Sequence, residues 1–111
     1  MKKKYMAAFL VPTGADKVLG EDGWEFESAQ RISKDVVGHL IAALGLDFVE
    51  MYSGIKRYIN DDMGMSIFLD EDNEVENIYF QVFGGSLKAL AEVCQGLEVP
   101  SEVELFVPQQ G

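Results

Sequence analysis

The sequence predicts one α+β domain, and three observations predict it. Apolar residues recur at three- and four-residue spacing over 28–44 and 86–95, the mark of helices with one buried face. Runs at 5–11, 65–69, 78–83 and 102–107 are instead short and rich in aliphatic, β-branched and aromatic residues, as strands are. A chain of 111 residues, 48% hydrophobic and 25% charged, can build one core but not two, so residues 1–111 are expected to form a single acidic domain.

The elements follow in order. Tyr5 to Val11 is apolar throughout and ends at Pro12, which suits an interior strand buried on both faces. The lysines before it imitate the start of a secretory signal, but the apolar run is at the short end for one, and a strand is expected. Residues 12–23 carry three glycines and a proline and are expected to form a loop, long for a small domain. The spacing then predicts a helix from Ser28, as N-cap, to Leu44, with Gly45 ending it in a left-handed turn. Its buried stripe is Ala29, Ile32, Val36, Leu40, Ala43 and Leu44.

Residues 47–59 fit two patterns. Phe48, Met51, Tyr52, Ile55, Tyr58 and Ile59 match helical spacing, and Asp47 with Glu50 resembles a capping box, so a helix is preferred. Ser53-Gly54 in mid-run weakens it and leaves an extended pair with a turn open. The stretch IFLDEDNEVENIYFQVFGG then reads as a β-hairpin with an acidic connection at 70–77. Alternation puts Met65, Ile67 and Leu69 on one face with Ile78, Phe80 and Val82, and Phe68, Tyr79 and Phe83 on the reverse. A helix from Ser86 to Gln95 and a last strand with Val103, Leu105 and Val107 on one face complete the chain.

The order β-α-(α)-β-β-α-β resembles the ferredoxin-like sandwich, a four-stranded, mostly antiparallel sheet with helices on one face. That fold hosts many functions and selects none.

Charge is more selective. The net charge is −10, and residues 58–111 carry all of it: eleven acidic side chains against Lys88 alone. Such a surface disfavours nucleic-acid backbones and anionic membranes, which need Lys and Arg, and no apolar run is long enough to span a bilayer. The single cysteine, Cys94, suits a reducing compartment, and a cytoplasmic protein is expected.

Sites of chemistry are scarce. Asp70, Asp72 and Glu74 fall on the first, third and fifth positions of an EF-hand loop, but Val75 stands where glycine must turn and Gln81 replaces the bidentate glutamate. Asp61-Asp62 flanks a strand, where exposure is expected rather than a catalytic cleft. His39, the only histidine, falls at the border of the helix stripe, and Cys94 falls on an inner helix face. No cofactor, no metal and no enzymatic activity are expected.

The expected function is therefore a non-catalytic protein-binding module that engages a basic protein partner. Asp70, Glu71, Asp72, Glu74 and Glu76 would supply charge, with Phe68 and Tyr79 as aromatic contacts. Small nuclease inhibitors and immunity proteins have this general character, by analogy. Two alternatives remain: a small-molecule-sensing or regulatory domain that forms a homodimer through its open sheet face or an edge strand, and an accessory protein with no ligand of its own.

Overall fold

Eight strands and two helices are present among residues 5–83, 85–96 and 102–108, which the computed structural model describes. In chain order they are β1 (Tyr5–Pro12), β2 (Asp16–Gly20), β3 (Gly23–Glu27), α1 (Lys34–Leu44), β4 (Asp47–Tyr52), β5 (Ile55–Ile59), β6 (Met63–Leu69), β7 (Val75–Phe83), α2 (Ser86–Gln95) and β8 (Val103–Phe106). Six strands form one antiparallel sheet in the order β4-β5-β6-β7-β1-β8, and β2 and β3 form a separate hairpin.

This corrects the expected fold: the protein is not a ferredoxin-like four-stranded sandwich. Two segments account for the difference. Residues 47–59 are a β-hairpin and not a helix, and they extend the sheet beyond β6. Ser53 and Gly54 both take positive φ, 48° and 76°, the geometry of a two-residue turn whose twist matches its strands. A Cβ on Gly54 would also stand 3.3 Å from the carbonyl of Leu69. The apparent helical period arose because this outer hairpin carries apolar residues on both faces. Residues 12–23, expected as a loop, hold β2 and the turn into β3, with Gly20 paired to Gly23.

α1 is shorter than its stripe suggested. Ile32 is held in an isolated bridge, its N–H donating to the carbonyl of Val75 at 2.9 Å, so the chain is still extended there. The N-cap is Ser33, whose Oγ accepts from the N–H of Asp35, and not Ser28. Gly45 ends the helix at φ 62°. α2 starts after Gly85, which stands at its N-cap with no side-chain cap hydrogen bond.

Cross-strand pairing places the core. Ala8, Phe80 and Met65 form one row across β1, β7 and β6, and Leu10, Ile78 and Ile67 form the next. Both rows are buried. Val36 and Leu40 of α1 with Leu90 and Cys94 of α2 close over them, so both helices cover one sheet face. The side chain of Asn60 pins the end of α1 to the β5–β6 turn. Its Nδ2 donates to the carbonyl of Leu44 at 2.7 Å, and its Oδ1 accepts from the N–H groups of Asp62 and Met63 at 2.7 and 2.8 Å.

On the other face the β2–β3 hairpin covers only the end formed by β1 and β8. Phe26 packs on Phe9 at 4.9 Å between ring centroids, and Trp24 meets Phe106 edge-on at 4.8 Å. Lys17 pairs with Glu104 and lies over the Phe106 ring. Among the described residues no such cover lies over the β6–β7 part of that face.

Candidate functional site

The acidic β6–β7 turn is organised by one of its own carboxylates. Asp70 Oδ1 accepts from the N–H groups of Asp72 at 2.8 Å and Glu74 at 3.0 Å, and Oδ2 accepts from Arg31 Nε at 2.8 Å. The backbone closes the same loop, with Asp70 N–H donating to the Glu74 carbonyl and Asn73 taking a left-handed φ of 62°. Asp70 thus holds the turn. The Arg31 hydrogen bond, seconded by those backbone donors, keeps its carboxyl below the usual carboxylate range.

A lowered carboxylate adds stability above its unfolded pKa, and that stability is lost as pH falls through the folded value. Asp70→Ala is therefore expected to lower Tm at neutral pH more than Glu71→Ala does. The gap should close in acid below Asp70's own pKa, as read by thermal unfolding across pH.

Glu71, Asp72 and Glu74 project from the tip and are exposed. Glu76 is exposed as well and is the extra residue of a bulge, since Phe68 pairs with Asn77 but Leu69 with Val75. It borders a small hollow with Arg31, Pro12 and Phe26, apart from the tip.

Phe68 and Tyr79 fall on the helix-free face, as alternation predicted, and the structure brings them together. With Phe9, Trp24, Ala7 and Asp22 they line an open groove of about 630 Å³ between the β2–β3 hairpin and the sheet. Tyr79 packs on Phe9 at 5.1 Å. Burial pushes its phenol above the usual value, with a smaller contribution from Tyr5, so the hydroxyl stays protonated and able to donate. Phe83 lies further along, edge-on to Tyr5 at 5.4 Å, outside the groove lining.

Trp24, Phe9 and Asp22 were not among the residues expected here. Their position depends on the β2–β3 hairpin, which the glycine-rich 12–23 stretch concealed. The signal available was alternation in the following segment, where Trp24 and Phe26 share one strand face.

The remaining candidates lie on separate elements. Asp61 and Asp62 are exposed in the β5–β6 turn, and His39 is exposed on α1. Cys94 is buried, and burial pushes its thiol up to about 11. At pH 8 its thiolate fraction is roughly a hundredfold below that of an ordinary cysteine. Labelling by a thiol reagent is expected to be at least that much slower in the native protein than in denaturant; equal rates would contradict the burial. Among the described residues no group of three or more His, Cys, Asp or Glu side chains is arranged to hold a metal ion. No helix among them is long and apolar enough to cross a membrane.

Comparison with protein-family models, with curated proteins and with solved structures gives no significant match.

Proposed function

We propose that the protein is a non-catalytic binding module that engages a basic protein partner through the aromatic groove and the acidic turn beside it. The observation that carries this is their adjacency. Phe68 lines the groove and lies two residues before Asp70, where the acidic tip begins. Half-buried rings supply rigid contact area with little ordering cost, and the exposed carboxylates speed encounter with a cation. The paired lysine and arginine residues support the same reading. Lys17, Arg31 and Arg57 are matched with Glu104, Asp70 and Glu50. Among the described residues Glu71, Asp72, Glu74 and Glu76 then make no direct ion pair, although Asp72 and Glu76 also feel the charge of Arg31.

The test is capture of proteins from the native host on immobilised protein, wild type beside Phe68→Ala/Tyr79→Ala. A basic protein that is retained at low salt, released at high salt and lost in the double variant is expected. Retention that ignores both salt and the variant would remove the reading.

A second reading has its own observation. β4 is an edge strand with Phe48, Val49, Met51 and Tyr52 all exposed, at 44 to 58%. Edges are usually protected by charge, and β4 offers only Asp47 and Glu50, the latter already paired with Arg57. A homodimer through β4 is the alternative this favours. Sedimentation of a monomer at micromolar concentration would remove it.

A further inference from the structure

We propose that the helix-covered side of the sheet carries a separate site for a small amphipathic anion, an apolar body ending in a single carboxylate. The sheet outgrows its helices. α1 stops short of β4 and β5, and a groove of about 550 Å³ remains between them, within the size range of small-ligand sites. Its apolar lining includes Val37 and Ile41 from α1, Tyr58 from β5, and Ile67 and Leu69 from β6.

Charge fixes the class of ligand. Of the six basic side chains among the described residues, Lys17, Arg31 and Arg57 are ion-paired. Lys34, Lys56 and Lys88 make no ion pair there, and two of those three, Lys34 and Lys56, line this one groove. Among the described residues no acidic side chain lines it, in a protein whose net charge is −10. Two lysines bordering an apolar floor match one carboxylate on an apolar body. A polyanion would meet the repulsion of the remaining surface without using that floor.

Gly38 gives a second, independent sign. It lies inside α1, where glycine is unfavourable by up to about 1 kcal/mol relative to alanine. Its φ is not positive, and a Cβ there would meet nothing within 4 Å. Neither backbone geometry nor packing among the described residues therefore requires the glycine. It lines the groove, and its missing side chain keeps that wall open.

The experiment titrates the whole protein with decanoate below its micelle-forming concentration, by calorimetry, beside decanol and decyltrimethylammonium. Saturable one-to-one binding of decanoate is expected, with decanol weaker and the cation not bound. Lys34→Gln/Lys56→Gln should weaken decanoate about five- to tenfold. Gly38→Leu should abolish binding while Tm holds or rises, since leucine favours the helix and fills the groove. Phe68→Ala/Tyr79→Ala, on the opposite face, should leave decanoate affinity unchanged, which separates this site from the protein-binding surface. Absence of saturable binding, decanol binding as well as decanoate, full affinity in Gly38→Leu or in the lysine double variant, or loss of affinity in Phe68→Ala/Tyr79→Ala would each overturn the proposal.

Discussion

Phe80→Ala is expected to destabilise the fold by about 3–5 kcal/mol, the largest single effect among the residues considered. Phe80 is fully buried and pairs with Ala8 on one side and Met65 on the other, in the interior of the six-stranded sheet. Its neighbour Ala8 is small, so the ring itself fills that part of the layer beneath the helices, and truncation leaves a cavity that a sheet cannot easily close. Domains of this size are stable by roughly 5–15 kcal/mol, so a large share of the total is at stake. Urea unfolding should show a lower midpoint with little change in slope. Tyr79→Ala, on the half-buried reverse face, should cost clearly less. If the two variants were equally damaging, the assignment of the core to the helix-covered face would be wrong.

The second large effect concerns association and not stability. Glu71→Lys/Asp72→Lys/Glu74→Lys reverses the exposed charge at the tip without touching Asp70, the side chain that closes the turn. Each of the three is exposed, and the stability of the triple variant should stay close to that of the wild type. Encounter with a basic partner should slow by about 10- to 1,000-fold at low salt, because electrostatic steering is the term removed. Stopped-flow association rates at rising salt check this: the wild type should slow toward the variant as its charges are screened. Unequal dissociation rates with equal association rates would place the effect elsewhere.

The contrast between these two experiments reflects what the sequence could reveal. Where a strand has one buried face, its alternation is clear. The faces of β6 and β7 were therefore legible: Met65, Ile67, Ile78, Phe80 and Val82 are buried and Phe68 and Tyr79 are on the reverse. The stop of α1 at Gly45 and the span of α2 were legible for a similar reason, local punctuation by glycine. The outer hairpin β4–β5 was not, because exposed apolar residues on both of its faces erase the two-residue period and imitate a helix. The β2–β3 hairpin was not, because Val18 and Leu19 are adjacent and both exposed, so neither marks an inside. Those two hairpins turn the expected four strands into eight.

The candidate site was divided in the same way. Phe68 and Tyr79 could be placed on a common face from alternation alone, but the groove between them and Trp24 depends on the β2–β3 hairpin packing against strands distant in sequence. The acids of the tip could be counted, but not that Asp70 is committed to Arg31, a residue distant in sequence. A contact of that kind leaves no mark in local composition.

The most direct measurement is a hydrogen-exchange footprint of the protein with and without a basic partner captured from the host. New protection is expected at Trp24, around Phe68 and Tyr79, and across the tip at 70–76, all lost in high salt. Protection confined to β4, or to α1 with β5, and unchanged by salt, would contradict it.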